Sequence, residues 1–135
     1  FAPSGKLYQE VTGIIYNDKI FKSKKGAVYV YDTTGNIVET VEVGEDIGLF
    51  RRIGNYIVGS DIDGTVFKIN VHSLSTESVE TVYGTCVRAY SPKLNILFGS
   101  SWPKLRLTAI DFDDLRIVGY LEDLNRDSGP MVVIE

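Results

Sequence analysis

The sequence predicts an all-β fold of repeated, four-stranded antiparallel sheets, and three observations carry that prediction. Valine, isoleucine, threonine and aromatic residues dominate the apolar positions, with 13 Gly and only one Met. That mixture suits pleated, half-buried surfaces joined by tight turns. A strand–turn–strand unit recurs three times along the 135 residues. Finally, Gly, Asn and Asp stand where tight hairpins need positive φ angles.

The recurring unit is Gly26–Asp32, a turn at 33–36 and Ile37–Val41; then Gly64–Asn70, a turn at 71–76 and Glu77–Val82; then Lys104–Asp111, a turn at 112–114 and Leu115–Leu121. Each first strand ends in Asp or Asn. The spacing is 38 residues from Asp32 to Asn70 and 41 from Asn70 to Asp111. Ahead of each unit lies a pair of shorter strands: Ile14–Tyr16 with Lys19–Phe21, Leu49–Ile53 with Tyr56–Ser60, and Cys86–Tyr90 with Ile96–Ser100. Four strands and three turns in a period of about forty residues is the arithmetic of a β-propeller blade. The blades are expected at 7–43, 47–83 and 85–122, with 129–135 as the first strand of a further blade. Gly59-Ser60 and Gly99-Ser100 recur 40 residues apart, and small residues there are expected to let strands converge near a ring axis.

Within Thr65–Asn70, Val66 and Lys68 are expected on one face and Thr65, Phe67 and Ile69 on the other. Two windows also fit a helical stripe: Val79, Val82, Tyr83, Cys86, Val87 and Tyr90, and Leu115, Val118, Leu121 and Leu124. Gly84 and Gly119 interrupt them, and Val and Thr are frequent within them. The repeat therefore predicts strands through both.

The segments Gly59–Asn70 and Gly26–Val38 resemble blades of quinoprotein-type and WD-repeat-like β-propellers, which typically run Gly-Ser, acidic turn, Gly, small, Val, aromatic, any residue, Leu or Ile, Asp, two further residues and Thr-Gly. The resemblance runs from about residue 7 to 135 and implies a closed ring of at least four blades. Three are visible, so the expectation is a fragment of a larger ring, or a part-ring that assembles with other copies. The Trp often found late in such blades is missing from the first two, and Trp102 falls in a loop. No cofactor or substrate residue is carried over.

A net charge of −4 and a pI near 5.0 argue against nucleic acid, whose phosphates are gripped by stripes of Lys and Arg. Charge is uneven: residues 1–25 hold five Lys against two acids, and residues 111–135 hold seven acids against two Arg. Head-to-tail attraction between copies is one consequence, solvated faces the plainer one. No apolar run reaches the roughly 18 residues needed to span a bilayer. Cys86 is alone, which excludes an internal disulfide and a thiolate metal cluster; it is expected to be a small buried hydrophobe. The compartment is not specified.

Residues with chemical potential read as turns. His72 is the single histidine, expected exposed in a turn with no partner for zinc. Asp61, Asp63 and Gly64 suggest a hairpin turn rather than a calcium loop, since no Glu follows at the bidentate position. Asp111, Asp113 and Asp114 form a solvated acidic turn, which does not desolvate a carboxylate for acid/base work. Neither a nucleophile elbow nor a phosphate loop occurs. No catalytic, metal or cofactor residue is therefore assigned. Arg51, Arg52, Arg88, Tyr90 and Trp102 remain, the residue types that interface hot spots favour. The expectation is a non-catalytic scaffold for protein–protein interaction. Two alternatives stay open: part of a propeller enzyme (quinoprotein dehydrogenase, lyase or peptidase gating domain) with its active site outside this chain, or a structural subunit of a surface or viral assembly.

Overall fold

A computed structural model describes residues 13–24, 26–44, 47–101 and 106–122. These form twelve strands and no helix: β1 (Gly13–Tyr16), β2 (Lys19–Lys24), β3 (Ala27–Tyr31), β4 (Ile37–Glu42), β5 (Ile47–Ile53), β6 (Tyr56–Asp61), β7 (Thr65–Asn70), β8 (Thr76–Glu80), β9 (Cys86–Ser91), β10 (Ile96–Ser100), β11 (Arg106–Asp111) and β12 (Arg116–Glu122). They make three four-stranded antiparallel meanders, β1–β4, β5–β8 and β9–β12. Over their described residues both windows with a helical stripe are strands and turns. A helix would have had to place Gly84 and Gly119 mid-element, whereas Gly84 takes a φ of 83° between strands. The strand expected at 129–135 lies outside the described residues.

The strand-ending Asp or Asn of the repeat has a physical cause. Asp32 Oδ1 accepts the backbone N–H groups of Thr34 and Asn36 at 2.9 and 3.0 Å. Asn70 Oδ1 accepts those of His72 and Ser73 at 2.8 and 3.0 Å. Asp111 Oδ1 accepts those of Asp113 and Asp114 at 2.8 and 3.1 Å. All three blades thus close their outer hairpin with the same side-chain-to-backbone turn. At Asp32 the Thr34 hydroxyl, donating at 2.7 Å, adds to the backbone donors, and together they hold the carboxyl below its ordinary value. The turns differ in one respect. The first uses Gly35 at φ 93°, while the second and third put Leu74 and Leu115 at φ 64° and 52°. Leucine rarely adopts that conformation. Burial of Leu115 and packing of Leu74 against the core offset the strain.

The core lies in two seams. Between the first two sheets, Phe21, Val28 and Val30 meet Phe50, Ile57, Phe67, Ile69 and Val71. Between the second and third, Val58 and Val66 meet Leu97, Ile110, Phe112 and Leu115. The middle sheet divides its side chains by strand alternation: Ile57, Phe67 and Ile69 face one neighbour, Val58 and Val66 the other. Burying one such large side chain contributes about 1.5–3 kcal/mol, so the middle sheet gains from both faces. The sheets come closest where β2 meets β5 and β6 meets β9, so β1, β5 and β9 are the inner strands and β4, β8 and β12 the outer ones. Gly59 is not explained by convergence at an axis. A Cβ there would lie 2.7 Å from Phe67 Cζ and 2.8 Å from Phe50 Cβ, so its hydrogen makes room for the Phe67 ring and the stem of Phe50. Gly99 does likewise for the Thr85 methyl group and the Cys86 backbone.

Candidate partner-binding surface

The arginines singled out from sequence sit on inner strands. Arg51 and Arg52 are adjacent on β5, so alternation turns them to opposite faces. Arg52 stacks its guanidinium 4.3 Å from the Tyr16 ring centroid in the first sheet, and its Nε donates to Gly54 O at 2.7 Å. Arg51 pairs in register with Val58, whose side chain faces the third sheet. Arg88 occupies a β-bulge in β9, because Phe98 pairs with Ala89 and Gly99 with Val87. A bulge re-aims the side chain it carries, and here Arg88 Nε donates to Ser100 Oγ at 3.1 Å. Tyr90 is half-buried, tilted against Phe112 at 5.2 Å, with its hydroxyl donating to Asn95 Oδ1 at 2.6 Å. The sequence offered these residues together, as the types that interface hot spots favour. The structure turns Arg51 toward the second seam, holds Arg88 through Ser100 on the face of the third sheet that bears Leu107, commits Arg52 to the first seam, and gives Tyr90 a packing role. Trp102 lies outside the described residues.

His72 is exposed in its turn, as expected, yet it has a neighbour. Tyr16 Oη lies 3.3 Å from His72 Nε2 and 3.2 Å from Asn55 Oδ1, and the Tyr16 and His72 rings meet edge to face at 5.5 Å. This polar latch joins the first sheet to the second. Asp61 is buried at 4% exposure rather than sitting in an open turn. It accepts the Thr65 N–H at 2.9 Å and packs against Gly44. No group of three or more His, Cys, Asp or Glu able to hold a metal occurs among the described residues. Cys86 is exposed, a correction to its expected burial. It opens the inner strand β9, where Val87, one position on, packs toward the core.

The residue that sequence reasoning passed over is Lys68. It is 3% exposed, and its Nζ donates to Phe112 O at 2.7 Å and Asp113 O at 3.0 Å across the second seam. The ammonium lies 4.8 Å from the ring centroids of both Tyr56 and Phe112, and 3.9 Å from Glu77 Oε2. Two carbonyls, two ring faces and a carboxylate satisfy a charge that burial alone would make costly. The signal was present in the sequence: a lysine between Phe67 and Ile69, on the same predicted face as Val66. Thr108 Oγ1, on β11, is the one buried side-chain oxygen or nitrogen among the described residues with no partner.

The outward faces of the first and third sheets are apolar as well. Alternation places Ile20, Tyr29 and Tyr31 opposite the face bearing Phe21, Val28 and Val30, together with Ile15, which is 74% exposed. On the third sheet Phe98, Leu107 and Ala109 lie opposite Leu97 and Ile110. By register Ile20, Tyr29 and Tyr31 match Ile57, Phe67 and Ile69, while Phe98, Leu107 and Ala109 match Val58, Val66 and Lys68. The two open faces are therefore the two halves of the seam that the molecule already builds twice.

No protein-family model and no curated protein matches the sequence. Solved structures do. The chain is similar to BamB from Moraxella catarrhalis at 12% identity and a TM-score of 0.63, over 82% of this chain and 34% of that one. It is similar to the computationally designed protein Ika8 at 13% identity and a TM-score of 0.70, over 91% and 39%. It is similar to the WD40 repeats of RRP9 at 12% identity and a TM-score of 0.60, over 79% and 36%. Such identities define the fold alone. The fold is that of β-propeller blades: three WD-repeat-like sheets in an open part-ring, spanning little more than a third of the length of these chains.

Proposed function

We propose that the chain is a non-catalytic propeller scaffold that binds protein partners through side chains around Arg51, Arg52, Arg88, Tyr90 and Trp102. The observation that supports this most is Arg88. A β-bulge and a hydrogen bond to Ser100 hold an exposed guanidinium in one place on a strand backed by a packed core. Fixing the side chain beforehand lowers the entropy cost of association. The test is capture from a cell extract of the source organism by immobilised wild-type, Arg88→Ala and Trp102→Ala proteins. At least one protein is expected to bind the wild type stoichiometrically and to be reduced about fivefold or more by one variant, the effect of losing 1 kcal/mol at a hot spot. Equal capture by all three refutes the reading.

The open faces favour a second reading, in which the part-ring is completed by other copies of the chain. Exposed apolar faces of this kind invite association, and two chains would supply six blades. Native mass spectrometry of the 135-residue chain separates the two: a discrete dimer supports the self-completing ring, and a monomer excludes it.

A further inference from the structure

The two open faces match in their apolar side chains, yet each carries a cation. Tyr29, Phe67 and Thr108 stand three residues before Asp32, Asn70 and Asp111, and pair across their sheets with Lys22, Gly59 and Gly99. The first sheet therefore has a lysine where the other two have glycine. Alternation turns Lys22 to the open face with Ile20 and Tyr29. Its stem leans toward the inner strand, because a Cβ built on its partner Gly13 would lie 3.3 Å from Lys22 Cγ. On the third sheet Ser100 holds the Arg88 guanidinium and pairs with Leu107 on the open face. Neither cation pairs with a carboxylate among the described residues. The glutamates Glu39, Glu42, Glu77 and Glu80 belong to the outer strands β4 and β8. Of these only Glu42 shares the open face of the first sheet. It lies two strand spacings, about 10 Å, from β2, beyond the roughly 8 Å over which exposed charges are felt at physiological salt.

Stacking the first sheet of a second copy on the third sheet, as the built seams stack, would bring these cations together. In the second seam Ser60 Oγ accepts the Val87 N–H at 3.4 Å, and Val87 pairs with Gly99. By register the corresponding residues are Ser100 on the third sheet and, on the first, Gly13 paired with Lys22. Lys22 of the second copy would then stand one strand spacing, about 4.8 Å, from the residue that meets Ser100. Ser100 is the residue that holds Arg88. Two like charges inside one screening length and between apolar faces oppose the contact. The apolar match alone does not make a second copy the occupant.

We infer that the open face of the third sheet docks the apolar face of a β-sheet in a partner protein, and that Arg88 takes a carboxylate of that sheet. The inference rests on the partner-binding reading above and names the partner's chemistry. Phe98, Leu107 and Ala109 hold the positions through which the second sheet takes its neighbour, so the occupant is a sheet face. Covering Arg88 with an uncharged face would strand a guanidinium away from water, so the occupant supplies the acid. With Nε on Ser100, the terminal nitrogens of Arg88 make no hydrogen bond among the described residues. A guanidinium fork matches a carboxylate through paired hydrogen bonds.

The test uses the whole chain, with its own first sheet as the probe once the charge of that sheet is reversed. Sedimentation velocity over a concentration series at physiological salt reads the mass. Lys22→Glu should self-associate at least about tenfold more tightly than wild type, since it turns a like-charge contact into an opposite-charge one. Arg88→Glu, which would face the native lysine, should do the same. The Lys22→Glu/Arg88→Glu double variant is like-charged again and should return to the wild-type mass. Lys19→Glu makes the same charge change on the opposite face of β2 and should leave the mass as in wild type. Matched urea midpoints establish that the variants are folded. A wild type that associates as tightly as Lys22→Glu would make a second copy the occupant and overturns the inference. So does a monomeric Lys22→Glu protein, or a double variant or Lys19→Glu that associates like it. If that happens while Trp102→Ala still releases a captured protein, only the acidic-sheet assignment fails. If capture is also unchanged, the binding reading falls with it.

Discussion

The two seams join the same middle sheet to its neighbours by different chemistry. The first is wide and apolar, with Phe21, Phe50, Phe67, Ile57 and Ile69 at its centre and a polar latch of Tyr16, His72 and Asn55 at one exposed end. The second has fewer large apolar side chains and places the Lys68 ammonium inside, among Tyr56, Phe112 and two backbone carbonyls. An apolar seam gains roughly in proportion to the area it hides. A seam built on a buried charge depends on every partner being in place. The first should yield gradually to truncation, and the second should respond to single polar changes.

The largest expected effect is on the apolar seam. Phe67→Ala removes a ring with 0% exposure that also fills the space above Gly59, and should cost about 3–5 kcal/mol in urea unfolding. A cost below about 1 kcal/mol would mean that the first seam is not the main core. Next comes Lys68→Met, which keeps the stem and removes the charge. It leaves Phe112 O and Asp113 O without their donor, for an expected loss of about 1–3 kcal/mol. A variant as stable as wild type would place the lysine among buried charges that apolar residues replace without loss, and the contrast between the seams would disappear. The smallest effect has the opposite sign. Thr108→Val exchanges an unpartnered hydroxyl for a methyl of similar size, and should raise stability by about 1 kcal/mol. A loss instead would show that Oγ1 finds a donor in solution.

Much of this was legible in the sequence. Asp32, Asn70 and Asp111 announced the repeat because each closes a hairpin with its own side chain, a local interaction that spacing reveals. Alternation in Val66–Ile69 gave the two faces of the middle sheet for the same reason. What was not legible depended on neighbours far along the chain. Lys68 could be assigned a face, but not the carbonyls 44 and 45 residues away that hold it. Cys86 looked apolar by context and is exposed, because it opens an inner strand just before the core-facing Val87. Arg51, Arg52 and Arg88 were found by residue type, but only the register of β5 and the Ser100 contact of Arg88 show that each serves a different sheet face.

The glutamates of β4 and β8 have a further consequence for how the molecule behaves at high concentration. Outer strands present unpaired N–H and C=O groups and are natural templates for runaway sheet growth. Bringing two such rims together, strand to strand, would oppose Glu39 and Glu42 to Glu77 and Glu80 at separations where like charges repel. Growth through the edges is thereby discouraged, and any ordered self-association is steered to the open apolar faces, a geometry that favours finite assemblies over fibres.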